Sequence, residues 1–352
     1  MLSRPTVIVI GAGASFELGL PVGSELKKSI SALLNITFPD GYNQKSGDYQ
    51  IKELVKDRSI ARNENDWNPI LHKCWLLRDA LPGSLSIDNL MDAHRTDEDI
   101  TFIGKLAIAK AILAAERKSK LFRDIGDREF TFADVADTWL VPFFQIASEG
   151  VARENAASIF ENVTFIVFNY DRCVERFLPV ALKLYYDLND SEAAEIAGKV
   201  RIVHPYGQVG SISHADSGLD YVPFGSNRYD LSKVAEGIKT FSEGLHNPEQ
   251  QATITDSIQR AAQVVFLGFA FHPLNMGLMA SKSIPAMRKI FGTTVGLSEA
   301  AIRAIKASLF TTFHKRDTRM GGIKNALELD ELNLEGKTAH VFLTEYFRGI
   351  AD

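Results

Sequence analysis

The sequence has only two cysteines in 352 residues, Cys74 and Cys173. Two thiols cannot build a four-cysteine zinc site, nor the disulfide framework of a small secreted domain. A reducing compartment, the cytoplasm, is the expectation. No stretch of about 18 apolar residues occurs, so no membrane span is expected. The apolar run Thr6–Ile10 is too short for the core of a signal peptide and ends at Gly11. A basic excess is also missing. Thirty-nine Lys and Arg stand against 44 Asp and Glu, a formal charge of −5, which gives no general field for nucleic acid. No G-x-x-x-x-G-K-[ST] loop, repeat or low-complexity tract is found.

With 45% hydrophobic residues, the chain can bury a large core. Its length suggests two domains, or one α/β domain with an insertion. Thr6–Ile10 and Val264–Leu267 are continuously apolar, as in strands buried on both faces, and Val163–Phe168 and Val200–Val203 read as strands too. Ile238–Phe241, Lys289–Val295 and His340–Thr344 are weaker strand candidates. Helical patterns lie between: from Ser24, a plausible cap, then Arg172–Tyr186, Ser191–Gly198, Gln251–Gln263, Leu274–Met279 and Ser298–Leu309. Residues 36–66 read as polar and irregular. Helical periodicity dominates from Trp67 to Phe160, notably over Asp97–Lys118, Phe132–Ser148 and Ala152–Phe160. The expected architecture is a Rossmann-like parallel sheet in a three-layer α/β core. The core would comprise residues 1–35 and 160–352, and residues 36–159 a large helical insertion.

The chemistry gathers at strand ends. Gly11-Ala12-Gly13-Ala14-Ser15 joins a buried strand to a helix, where glycines let a pyrophosphate approach backbone N–H groups. Phe16 replaces the third glycine of G-x-G-x-x-G. The acid that a dehydrogenase places about 20 residues on is also missing, since Ser31–Leu34 is helical. Both departures count against an oxidoreductase. Asn169 and Asp171 follow the second strong strand, and His204 follows the next. Asn offers donor and acceptor together, and a histidine titrates near neutrality. His214 and His272 are alternative bases. Plainer uses exist: Asn169 or Asp171 can cap the following helix, Phe269 and Phe271 can be core, and His314-Lys315-Arg316 can be a solvated patch.

The ordered set resembles the sirtuins. Gly11-Ala-Gly-Ala-Ser15 with Gly19-Leu20-Pro21 is similar to their glycine turn, serine and Gly-Ile-Pro. Asn169-Tyr170-Asp171 resembles their Asn-x-Asp segment, His204-Pro-Tyr-Gly207 their His-Gly element, and Gly268-Phe269-Ala270-Phe271 their Gly-x-x-Phe. Val22-Gly23-Ser24 stands where deacylating sirtuins carry Asp-Phe-Arg, and the zinc ribbon is missing. The helical insertion instead resembles the sirtuin-like NADases of bacterial anti-phage systems.

That resemblance implies NAD as substrate and cleavage to nicotinamide and ADP-ribose, with no metal. Gly11, Ala12, Gly13, Ser15, Pro21, Gly268, Phe269 and Asn275 would hold NAD. Asn169 would orient ribose and water, His204 would act as base, and Asp171 would support the ribose. It also implies a homo-oligomer controlled by a HerA-like ATPase or another phage-sensing subunit. A non-catalytic NAD- or ADP-ribose-binding regulatory subunit and a zinc-free deacylase are the alternatives. Elemental analysis of the purified protein should find no tightly bound zinc; one zinc per chain would contradict the cysteine argument.

Overall fold

A computed structural model describes residues 2–213, 219–245, 247–280, 289–313 and 332–351. Six parallel strands form one sheet: β1 Thr6–Ile10, β2 Val163–Val167, β3 Arg201–Val203, β4 Gln263–Leu267, β5 Lys289–Thr293 and β6 Leu332–Glu335. Their spatial order is β3-β2-β1-β4-β5-β6. This is the order of doubly wound dinucleotide folds, with its switch point between β1 and β4. The pairing is in step, since Ile10 lies opposite both Val167 and Leu267.

Strand β1 explains the layering. Val7 and Val9 enter one hydrophobic core and Ile8 and Ile10 the other, because side chains alternate across a strand. The first layer holds α2 Gly23–Leu34, α3 Tyr49–Ala61, α4 Asn68–Ala80, α5 Ile87–Ala93 and α6 Glu98–Glu116. The short α1, Ala12–Phe16, and α7 Leu140–Ser148, α8 Cys173–Tyr186 and α9 Asp190–Gly198 add to the second. The rest of the first layer comes from α10 Leu231–Glu236, α12 Pro248–Arg260, α13 Pro273–Leu278 and α14 Glu299–Phe313, with α11 Phe241–Leu245 beside it. The second is completed by α15 Ala339–Glu345 and α16 Phe347–Ala351. Residues 36–159 thus contribute to both layers. Among the described residues, no helix is long and apolar enough to cross a membrane.

Several elements differ from the sequence expectation. His340–Thr344 is helical, not a strand. Thr338 caps α15 by accepting the Val341 N–H, and Ala339, Phe342 and Leu343 bury one face. The Glu17 carboxylate, from a turn distant in sequence, accepts N–H bonds from Trp139 at 2.8 Å and His340 at 3.0 Å. Burial pushes the Glu17 pKa up against those donors. Ile238–Phe241 makes only an isolated bridge, Ile238 to Gly207, before α11 begins. Helix α3 fills the segment read as irregular. Asp48 caps it at Ile51, and Ile51 and Val55 are fully buried. Ala152–Phe160 contains a 3-10 segment, Arg153–Ser158, in place of an α-helix. Ser24 is not a cap, because α2 already starts at Gly23. The edge strand β6 was not anticipated.

Helix α6 ends on Glu116, an acid at the end that the helix dipole disfavours. The reason is Arg172, at the entry to α8. Both side chains are fully buried, and Arg172 grips Glu116 through Nε at 3.1 Å and through Nη2. Gly225 N–H also donates to Glu116, and Arg172 Nη1 donates to the Val222 carbonyl. Every charged atom is answered, which is what makes a buried pair tolerable. Glu116→Ala, which strands Arg172, should cost about 3–5 kcal/mol. The double replacement Glu116→Leu with Arg172→Met should cost clearly less. Urea midpoints of the two variants check both.

Candidate active site

Four segments meet at the C-terminal edge of the sheet, where open α/β sheets take ligands. They follow β1, β2, β3 and β4, the four strands that the sequence placed in one sheet. The ladder continues one residue beyond the strands. Gly11 N–H donates to the Leu267 carbonyl at 2.9 Å, and Phe168 N–H to that of Ile10 at 2.9 Å.

The glycines are explained by close backbone approach. Gly13 N–H donates to Gly268 O at 3.0 Å. A Cβ on Gly11 would lie 2.5 Å from Gly268 O, and one on Gly268 only 2.0 Å from Ala14 N. Gly268 also has φ +56°, and its N–H is held by Thr293 Oγ1 at 2.8 Å. The sequence assigned Gly11 and Gly13 to a phosphate and Gly268 to the cofactor. In this conformation they serve loop-to-loop contact first, and the Gly13 N–H is engaged.

Ser15, almost fully buried, accepts a hydrogen bond from Asn169 Nδ2 at 2.8 Å. Ser15 O also receives the Leu20 N–H at 3.2 Å, which folds Gly19-Leu20-Pro21 back on the turn. Pro21 is half-buried. The Asn169 carbonyl faces His204 Nδ1 at 3.1 Å, and His204 Nε2 lies 2.7 Å from Glu175 Oε1. Asn169 therefore bridges the ends of β1 and β3 and does not cap α8. The cap-like contact belongs to Asp171, buried, whose Oδ1 accepts the Cys173 N–H at 3.2 Å.

His204 is buried. Burial opposes its charge, but the Glu175 carboxylate, the Asn169 carbonyl and Asp171 outweigh that and raise its pKa above the ordinary 6.5. A carbonyl and a carboxylate are both acceptors, so this arrangement suits an imidazolium donating from both nitrogens. Neither nitrogen is left facing open space.

Phe269 is buried in an aromatic cluster with centroids 5.0 Å from Phe168, 5.5 Å from Phe266 and 5.2 Å from Phe271. Phe271 has φ +53°, unusual for a bulky residue. Asn275, half-buried on α13, accepts from the Tyr206 hydroxyl, and the Tyr206 ring packs on Phe168 at 5.8 Å. Tyr170 reaches out of the Asn169 segment to bond Asp88 on α5. His272 caps α13 through the Leu274 N–H at 3.4 Å. His214 and His314-Lys315-Arg316 lie outside the described residues. Glu175, Glu17 and Asp88 were not anticipated. Glu175 and Asp88 lie on helices and Glu17 in a turn, and only the tertiary partner reveals each.

Among the described residues, two cavities lie apart from the meeting point of these turns. One of about 480 Å³ opens at the opposite, N-terminal edge, beside Thr6, Val163 and Arg201. Lys199 and Arg260, which also line it, sit at the C-terminal ends of α9 and α12, where cations complement helix carbonyls without any ligand. The other, of about 340 Å³, lies between α8 and the segment before α10 and is lined by Glu175, Arg123, Arg176 and Phe224. Among the described residues, no cluster of three or more His, Cys, Asp or Glu suited to a metal is present.

Compared with family models and with curated proteins, the chain matches none. A solved complex of a Sir2 homolog with NAD aligns over 98% of this chain and 88% of its own length, at 13% identity and a TM-score of 0.38. A likeness this distant assigns neither ligand nor reaction.

Gly268→Ala should be destabilising by more than the roughly 1–2 kcal/mol of a left-handed L-residue, because its Cβ meets the Ala14 backbone. A thermal midpoint equal to that of the parent would contradict the packing assigned to this glycine.

Proposed function

We propose that this chain binds NAD across the C-terminal edge near the β1/β4 switch point and hydrolyses its nicotinamide–ribose bond. One observation carries the reading: Asn169 is held at once by Ser15 of the glycine turn and by His204 after β3. Three segments that the sequence singled out separately meet at one residue, through its side-chain amide and its backbone carbonyl.

The chemistry suits that amide. Glycosyl cleavage passes through an oxocarbenium-like ribose, which needs positioned dipoles and a placed water more than a strong nucleophile. In the proposal Asn169 orients ribose and water, while Gly11, Ala12, Gly13 and Ser15 flank the phosphates. Gly268, Phe269, Pro21 and Asn275 border the crevice, and Asp171 supports the ribose through the turn that it braces. His204 first holds the Asn169 backbone. It acts as a base only in its neutral form, with one of its two contacts displaced by substrate. Water attack releases one proton, so the overall change is NAD and water to nicotinamide, ADP-ribose and a proton.

The proposal extends to residues 36–159 as the insertion into an NAD-binding core. Through the resemblance stated above, it extends to NAD depletion in anti-phage defence, with control by oligomerisation and an ATPase or other sensing partner. A second reading, a non-catalytic NAD- or ADP-ribose-binding regulator, draws on the engaged Gly13 N–H and on the aromatic packing of Phe168, Tyr206 and Phe269 over the edge.

Nicotinamide release from NAD, with and without an acyl peptide, separates hydrolase, regulator and deacylase. Asn169→Ala should lower release by about 10²–10⁴-fold with the thermal midpoint nearly kept, and Ser15→Ala should act mainly on KM. An Asn169→Ala protein that is less stable but fully active would remove Asn169 from the chemistry.

A further inference from the structure

His204 has one partner that the motifs do not explain. Glu175 sits in the first turn of α8, where an acid is ordinarily a dipole complement exposed to water. Here its side chain is only 20% exposed, and Oε1 lies 2.7 Å from His204 Nε2. Its Oε2 is buried without a hydrogen-bond partner among the described residues. A buried carboxylate with one unanswered oxygen depends on a nearby cation. Arg123 and Arg176 line the same cavity as Glu175, but each has its own acid, Asp134 at 3.2 Å and Glu129. His204 is the group in direct contact that can answer the charge.

The contacts run on in one line. Glu175 fixes the imidazole, its Nδ1–H holds the Asn169 carbonyl, and the Asn169 amide reaches Ser15. On the far side the His204 carbonyl is held by Gln250 of α12 and by Gly207 N–H. The ring therefore has a fixed base and one orienting carboxylate.

We propose that Glu175 is a positioning residue of this site, setting through His204 the place of the Asn169 backbone and hence of its amide. Its bearing on catalysis rests on the NAD hydrolase reading; its bearing on His204 does not. The titratable and charged groups around the ring are Glu175 on α8, Asp171 and Cys173 at the entry to that helix, and Arg123 and Arg176 beyond Glu175. Gln250, from α12, is uncharged. His204 gains stability from its partner when protonated. That stabilisation is complete below about pH 6.5 and is lost as pH rises through the raised native value.

The test uses the full-length protein and two variants, Glu175→Gln and Glu175→Asp. NMR of the His204 ring nitrogens, without NAD, should give the parent a titration midpoint above that of an ordinary histidine. The titration midpoint should move down in Glu175→Gln and partly recover in Glu175→Asp, and the Asn169 carbonyl shift should move with it. In the release assay, Glu175→Gln should lose about 10–100-fold, as when a partner orienting a histidine is removed. The loss should fall on kcat with KM nearly unchanged, and the pH profile should shift, with Glu175→Asp between. An acid serving only the helix dipole would lower the thermal midpoint and leave the His204 titration and kcat alone, and that result overturns the proposal. A parent that releases no nicotinamide counts against the hydrolase reading, while the NMR arm still decides the role of Glu175. If Glu175→Gln does not fold, Glu175→Asp is read by the same two criteria.

Discussion

The approach of two backbone turns, Gly11–Gly13 after β1 and Gly268 after β4, constrains everything at this edge. Parallel neighbours in register deliver their chain ends side by side, since Ile10 and Leu267 are paired. The turns that leave them then compete for one volume. Only residues without a Cβ can share it, and Gly268 must also take a left-handed φ. With that contact made, Ser15 is carried to a fixed position and Asn169 can reach it. The glycine turn is thus a packing device that places a side chain, before it is anything toward a ligand.

Two polar contacts tie α5 and α6 to this edge. Arg172, next to Asp171, is clamped by Glu116 at the end of α6, and Tyr170, next to Asn169, bonds Asp88 on α5. Burial pushes the pKa of both Asp88 and the Tyr170 hydroxyl up, the latter aided by the neighbouring carboxylate. The residues on either side of Asp171 are therefore held by α5 and α6. A shift of α5 or α6 would be felt at the Asn169 segment without passing through the sheet.

The sheet was legible because its central strands are unbroken β-branched or aromatic runs, a pattern that only double-sided burial accounts for. The edge strand Leu332-Asn-Leu-Glu335 was not, because a half-covered strand of four residues carries little pattern. His340–Thr344 looked extended for want of Glu17, whose capping contact spans 323 residues. The candidate site divides in the same way. Asn169, Asp171 and His204 could be named because polar residues just past buried strands stand out. Glu175 could not, because a helix acid acquires a partner only when β3 is laid beside β2. The glycines were found for one reason and are used for another: sequence marks where a Cβ is forbidden, not what forbids it.

The central claim is that ligand binds where these turns meet. The most direct measurement is NMR shift mapping of the free protein titrated with ADP-ribose. The account predicts changes at Gly11–Ser15, Asn169, His204 and Gly268. Changes confined to Thr6, Val163, Arg201 and the other residues around the cavity at the opposite edge of the sheet would contradict it.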